Sequence, residues 1–340
     1  MLLQNKPYFI AEISANHLGQ LSRAKDLIKK AAAAGADAVK LQTYSPDSMT
    51  LNLDSPQFRV SKHHTLWGGR KLYDLYEEAQ TPRSWHPILF DLANEQGLDA
   101  FSTPFDEESV DYLDDLGVPA FKVASLEIID HPLLERIASK KKPVLLSTGA
   151  ASLSEIATAV GILMDAGASE VVPLVCTSAY PASASDANLR RLQTLRSAFG
   201  AEVGLSDHTL GLGVAVAAVA LGAGVIEKHL TLDRAHGGPD SAFSLNPTEF
   251  GDMVTAGREA HMALGSSSFQ SRSSEAESVR LRPSLWVIKD VTQGESVTTS
   301  NVASMRPSGG LRPRHFREVL TREFNQSIPA GTALDWSLLA

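Results

Sequence analysis

The sequence predicts an α/β protein: a (β/α)8 barrel followed by a small, mostly β module. Three observations carry this. Short apolar runs alternate with amphipathic stretches at intervals of roughly 25 to 30 residues, the mark of repeated strand–helix units. Eight such units fit within about 265 residues, the size of a TIM barrel. After a serine-rich stretch near residue 270, the remaining chain shows a different pattern.

Taken in order, strands are expected over residues 8–14, 38–43, 98–103, 120–125, 144–148, 171–176, 202–206 and 225–230. Between them lie helix patterns. Residues 22–34 place Leu27, Ile28 and Ala31 on one face, with Gly35 as a stop. Thr81-Pro82 has the form of an N-cap followed by proline at the first helical position. Ser152 and Glu155 form a capping box. Gly222 and Gly224 break a helix from the last strand. A doubly wound open sheet is the alternative architecture, since periodicity does not show closure.

Domains are expected at 1–265 for the barrel, 266–283 for a linker with one helical turn, and 284–340 for the terminal module. In that module Val291, Gly294, Val297 and Val302 recur at the same spacing as Ile328, Gly331, Leu334 and Leu339. Each copy has the form of a strand, a glycine turn and a second strand. A module this short is near the lower limit for an independent core.

Composition excludes several classes. The 340 residues carry 31 basic and 39 acidic side chains, a net charge of −8. That balance argues against nucleic acid or an anionic membrane as partner. The single cysteine rules out an intrachain disulfide and points to a reducing cytoplasm. The N-terminal segment has no charged start, long apolar core or cleavage site, so no signal peptide is expected. The longest apolar run, residues 210–226, is interrupted by glycines and too short to span a membrane.

A buried parallel strand is ordinarily a continuous apolar run. Here the strands end in polar residues, often two apart, which places both members on one face. Glu12 ends the first, Lys40 and Gln42 the second, Lys122 and Ser125 the fourth, Ser147 the fifth and Cys176 the sixth. Ser206 and His208 end the seventh, Glu227 and His229 the eighth. In a barrel that face points to the axis, and C-terminal strand ends carry the active site. Any one such residue is ordinarily a solvated strand terminus; convergence of seven strands is not.

His208 and His229 form either a platform for a divalent metal or a hydrogen-bonded pocket pair; spacing leaves both open. Glu12, Glu227 and Asp240 could hold water or orient the imidazoles. Lys40 and Lys122, with Ser125, Ser147 and the amides of Thr148 and Gly149 at a helix start, would cradle a phosphate. The bland alternative for each lysine is an ion pair with a glutamate such as Glu127. A Schiff-base aldolase using Lys40, Lys122 or Lys228 is a rival. Lys228 is out of register and is expected to face the helices. Lys40 and Lys122 sit among polar partners that supply little desolvation to depress a lysine pKa. Cys176 is expected to be a passive part of the pocket wall.

The segments 10–17, 35–43, 102–105, 122–125, 147–149, 176–181, 204–208 and 226–229 resemble the sialic acid synthase family. The resemblance extends over essentially the whole chain, and the C-terminal module, including Met305-Arg306-Pro307, resembles that family's antifreeze-like (SAF) domain of β-clip type. It implies condensation of phosphoenolpyruvate with the aldehyde of an amino sugar, giving a nine-carbon 2-keto acid and phosphate. It also implies a divalent metal (manganese or magnesium, possibly cobalt) held by His208 and His229. Lys40, Lys122, Ser125, Ser147, Gly149 and Ser206 match phosphoenolpyruvate contacts. Gln42, Glu127, Tyr180 and Asp240 match positions near the acceptor, and Glu12 and Glu227 the inner carboxylates. The resemblance further implies a homodimer in which one SAF domain covers the partner barrel and Arg306 reaches the acceptor.

Two departures narrow the expectation. Gly238-Pro-Asp-Ser-Ala-Phe-Ser-Leu245 stands where N-acetylneuraminate synthases carry a histidine after the aspartate. The long insert over residues 49–80 is also distinctive. With Ser14-Ala-Asn-His17, both resemble pseudaminic acid synthases, whose acceptor resembles 2,4-diacetamido-2,4,6-trideoxy-L-altrose. Ser241-Ala242-Phe243 in place of that polar histidine suits a sugar lacking its 6-hydroxyl. Ser178 replaces a common asparagine. An N-acetylneuraminate or legionaminate synthase is the near alternative; a non-catalytic carbohydrate-binding protein is the distant one.

Overall fold

The computed structural model describes residues 6–340; the expectation about a signal peptide falls in part on residues 1–5, outside the described residues. The chain divides into two compact units, Met1–Gly265 and Ser266–Ala340. In the first, eight parallel strands close into a barrel: β1 (Tyr8–Glu12), β2 (Ala38–Thr43), β3 (Asp99–Pro104), β4 (Phe121–Val123), β5 (Pro143–Ser147), β6 (Glu170–Cys176), β7 (Gly204–Asp207) and β8 (Val225–His229). β1 pairs with both β2 and β8, which closes the ring and excludes the open sheet. The eight expected strands are all present, with ends shifted by at most two residues. β4 is the shortest, so Ser125 lies past its end rather than in it.

The strands are apolar on both faces because helices cover the outside and the barrel fills its own interior. The helix Leu21–Ala33 buries Ala24, Leu27, Ile28 and Ala31 against the strands. Gly35 then takes φ +82°, a conformation that stops the helix without a Cβ penalty. Ser152 caps the helix Leu153–Asp165 in the expected box, its hydroxyl accepting from the Glu155 amide while Glu155 accepts from Ser152 N–H. Residues 210–226 form the helix Gly213–Ala220 and then β8. Among the described residues no helix is long and apolar enough to cross a membrane.

Thr81-Pro82 does not start a helix. Pro82 is extended (ψ 131°), a 3-10 turn follows, and the α-helix begins at His86. The Thr81 hydroxyl bonds instead to His17 Nε2 at 3.1 Å. His86 is likewise tied to Thr43, which continues to Ser102. Burial holds both imidazoles down at about 4, so they stand neutral in the fold. A depressed folded pKa contributes stability that is full above the ordinary value of 6.5 and is lost as pH falls through about 4. Urea unfolding of wild type and His86→Gln between pH 7 and 4.5 checks this. The variant is expected to lose less stability on acidification; equal losses would contradict it.

Lys228 points away from the axis, as its register requires. Its ammonium is fully buried and donates to Asp207 Oδ2 at 2.6 Å and to the Thr209 carbonyl.

The second unit has its own core, built from Leu285, Val287, Val291, Val297, Val302, Phe324 and Leu334 among others. Its strands β9 (Ser284–Val287) and β10 (Val302–Met305) are antiparallel. The repeat seen in the sequence is a structural pseudo-twofold. Val291 and Ile328 exchange N–H···O bonds of 3.0 Å. The Gly294 amide bonds to the Phe324 carbonyl and the Gly331 amide to that of Val287, each at 2.7 Å. The expected hairpins are corrected here. The residues flanking each glycine pair with the other copy, not across their own turn, and mostly as single bridges. The segment before β9 holds a 3-10 turn (Ser273–Glu275) and the short helix Ala276–Arg280.

Candidate active site

The register places Glu12 beside Lys40 on one side and His229 on the other, and Ser206 beside Glu227. The Lys40 ammonium lies against Glu12 Oε2, stands 3.7 Å from Glu227 Oε1 and donates to Thr103 Oγ1 at 3.1 Å. Lys122 donates to Ser147 Oγ and to the Val123 carbonyl, both at 2.7 Å. Ser206 donates to Glu227 Oε1 at 3.1 Å, and the Ser14 amide to Glu12 Oε1 at 2.7 Å. All four charged side chains are buried, so their charges act with little screening.

Burial raises Glu12 to about 7, despite the opposing Lys40 charge. Burial acts on Glu227 in the same sense, but Lys40, Lys122 and His208 outweigh it and hold that carboxyl below its usual range. The two inner carboxyls are therefore unequal, Glu12 the more basic and Glu227 the more acidic of the pair. Burial lowers Lys40 too, yet Glu12 and Glu227 reverse the shift and raise it. Lys122 is pushed down, first by burial and then by Lys40. The expectation that its polar setting supplies little desolvation is corrected: two hydrogen bonds do not replace lost water.

His208 and His229 face each other, ring centroids 5.3 Å apart. His208 Nδ1 lies 3.1 Å from the Thr177 carbonyl. A carbonyl only accepts, so Nδ1 carries the proton and Nε2 presents a lone pair. His229 Nδ1 is buried without a hydrogen-bond partner, 3.8 Å from Asp240 Oδ2. Lysines and His208 add to burial in keeping His229 neutral. Burial pushes His208 down, but Cys176 and the Thr177 carbonyl reverse the shift and raise it. Only His229 therefore stands neutral; its orphaned nitrogen beside a carboxylate suits a divalent cation, which would displace the His208 proton. Among the described residues no group of three His, Cys, Asp or Glu is arranged to hold one. Oxygens of substrate or water would complete the shell. Cys176 Sγ is buried 3.8 Å from His208 Nδ1 and outside the cavity lining. Burial pushes the thiol up, but His208 outweighs it and brings it down to about 7, so the expectation of a passive wall residue is not met.

The proposed phosphate cradle needs one correction. The helix after β5 begins at Leu153, so Thr148 and Gly149 are not at a helix start. The Thr148 amide bonds to the Leu174 carbonyl, and the Gly149 amide to Ser125 Oγ at 3.1 Å. Gly149 matters for another reason. A Cβ there would stand 2.2 Å from Ser178 Oγ, 2.8 Å from Ser125 Oγ and 3.3 Å from Cys176 Sγ. Gly149→Ala is expected to displace those hydroxyls and raise KM for phosphoenolpyruvate at least about 10-fold, with acceptor KM little moved. Steady-state kinetics with each substrate varied in turn checks this; an unchanged value would contradict it.

Beside these groups lies a cavity of about 400 Å³, lined by Gln42, Ser125, Glu127, Tyr180, His229, Asp240 and Phe243. Burial raises Glu127 and Asp240. Glu127 therefore lines the cavity rather than pairing with either lysine. Arg306 lies one residue beyond β10, exposed, in the second unit.

The sequence reading missed part of the lining. Ser14 takes φ +34° and its hydroxyl donates to Asp240 Oδ2, linking that carboxylate to the strand that carries Glu12. Tyr44 and the insert residues Met49, His64, Trp67 and Tyr76 also face the cavity. The aromatic content of the insert was the available signal.

The NeuB family model matches residues 27–269. The chain is 43% identical to the pseudaminic acid synthase of Campylobacter jejuni (serotype O:23/36, strain 81-176), covering 97% of this chain and 95% of that protein. It is 40% identical to the pseudaminic acid synthase of Helicobacter pylori, covering 96% of each. Among solved structures, the N-acetylneuraminic acid synthetase of Leptospira borgpetersenii, crystallised with citrate, superposes with a TM-score of 0.71 at 34% identity. That match covers 81% of this chain and 91% of that one. Barrel, buried lysine–glutamate ring and full-length similarity agree: the chain belongs to the NeuB family of sialic acid synthase-like enzymes.

Proposed function

We propose that the protein is a pseudaminic acid synthase, condensing phosphoenolpyruvate with 2,4-diacetamido-2,4,6-trideoxy-L-altrose to give a nine-carbon 2-keto sugar acid and phosphate. The observation that carries this is the buried cluster of Glu12, Lys40, Lys122 and Glu227 next to a cavity that Ser125, His229, Tyr180 and Phe243 line.

In this reading Lys122 and Lys40 face the phosphate and carboxylate of phosphoenolpyruvate, with Ser125, Ser147 and Ser206 as hydrogen-bond partners. The C=C π pair of the methylene carbon attacks the aldehyde carbon, forming the new C–C bond. The C=O π pair moves to oxygen, which takes up a proton to become a hydroxyl, and C2 is left electron-deficient. Water adds there, and Glu12 takes its proton, being the more basic carboxylate. The C2–O bond to phosphate then breaks, and the lysines stabilise the departing charge. His208 and His229 would hold a divalent metal, which when bound supplies Lewis-acid polarisation of the aldehyde oxygen. Gln42, Glu127, Tyr180, Asp240 and Phe243 orient the acceptor. Arg306 of a partner subunit belongs to the same reading, on the resemblance of Met305-Arg306-Pro307 to the SAF pattern.

Phosphate release from phosphoenolpyruvate with manganese and each candidate sugar tests this. Release with the 6-deoxy diacetamido sugar is expected. Release with N-acetylmannosamine alone would overturn the subfamily assignment. The lowered pKa of Lys122 favours one rival, a Schiff-base aldolase. That rival requires borohydride inactivation in the presence of substrate and indifference to EDTA; the reverse pattern is expected.

A further inference from the structure

The insert between β2 and β3 is built to present one side chain. Gly68 sits where a Cβ would come within 2.7 Å of the His64 carbonyl and 2.8 Å of that of Lys62, and Gly69 takes φ +78°. This tight turn ends a loop in which His64 Nδ1 accepts from the amides of Leu66 and Trp67, both at 3.3 Å. The His64 ring is thereby stacked on the Trp67 indole, centroids 4.7 Å apart and planes 11° from parallel. The indole N–H donates to the Pro239 carbonyl at 2.9 Å, one residue before Asp240. An anchored indole is an apolar surface held in place.

Trp67 is also the end of a chain of ring contacts. It meets Tyr180 at 5.6 Å, Tyr180 meets Phe243 at 5.1 Å, and Phe243 meets His229 at 4.8 Å. The chain runs from the insert, across the loops after β6 and β8, to the imidazole pair. Gln42, Glu127 and Asp240 supply the polar part of the same cavity. A fully hydroxylated sugar would leave hydroxyls unpaired along this wall; N-acetyl methyls and a 6-methyl would not.

We propose that Trp67 is a specificity-determining residue, the outer end of an apolar wall that selects an acceptor sugar carrying methyl groups in place of hydroxyls. This rests on the reading of the protein as a phosphoenolpyruvate-condensing synthase. Trp67 touches neither the lysines nor the inner glutamates, so its effect falls on the acceptor.

Steady-state kinetics of wild type, Trp67→Ala and Trp67→Phe, with each substrate varied in turn, tests it. The acceptors are the 6-deoxy diacetamido sugar and N-acetylmannosamine. In Trp67→Ala the KM for the 6-deoxy acceptor is expected to rise at least about 10-fold, with KM for phosphoenolpyruvate within about twofold. The kcat/KM ratio between the two acceptors is expected to fall by a similar factor. Trp67→Phe, which keeps a ring but loses the anchoring N–H, is expected to fall between and guards against an alanine variant that fails to fold. An unmoved acceptor KM, or a parallel rise for both substrates, overturns the inference alone. Absence of wild-type turnover with both acceptors overturns the proposed function and this inference with it.

Discussion

Replacing Lys122 with methionine is expected to lower kcat/KM for phosphoenolpyruvate by about 10³-fold or more, since a buried charge facing an anion is worth several kcal/mol. Lys122 is buried, and its hydrogen-bond partners are Ser147 and the Val123 carbonyl. Among the described residues no carboxylate pairs with it at contact distance, in contrast to Lys40. It is therefore the ammonium with charge to spare for a ligand. The same burial makes it costly to the fold, so methionine of similar volume is expected to hold or raise thermal stability. Loss of activity without loss of stability is the signature. A variant that keeps its kcat/KM, or that loses activity only by unfolding, would contradict the assignment.

Glu12→Gln is expected to lower kcat by about 10²- to 10⁴-fold, the range for loss of a general base. Glu12 stands near 7, and a base acts only when deprotonated. The wild-type kcat/KM is thus expected to rise with pH and level above about 7. The limb belongs to Glu12, Lys40 and Glu227 as a coupled set rather than to one microscopic site. In the glutamine variant the rising limb near 7 is expected to shrink to what Cys176 and His208 contribute, because Glu227 is held ionised by its cationic neighbours. A limb that survives unchanged would transfer the role of base away from Glu12.

What the sequence made legible follows from what periodicity can see. A spacing of two along a strand assigns faces, so Glu12, Lys40, Lys122, Glu227 and His229 could be placed on the axis and Lys228 off it. Spacing does not reveal who pairs with whom. The glycine repeats of the second unit were visible, but their pairing across copies was not. Thr81-Pro82 has the local form of a helix start, and a tertiary contact with His17 overrides it. The insert turns helical only at Leu72–Ala79. Trp67 lies in the irregular stretch before it, so its role emerges only from its contacts. The net charge of −8 says little about the pocket, where two buried lysines stand against two buried glutamates.

The central claim is tested most directly by competition. Equal concentrations of the 6-deoxy diacetamido sugar and N-acetylmannosamine are offered to the metal-loaded protein with limiting phosphoenolpyruvate, and the two nine-carbon products are weighed by mass spectrometry. The account predicts at least about a 10-fold excess of the 6-deoxy product, the discrimination available to an apolar pocket wall. Equal yields, or an excess of the N-acetylneuraminate product, would contradict it.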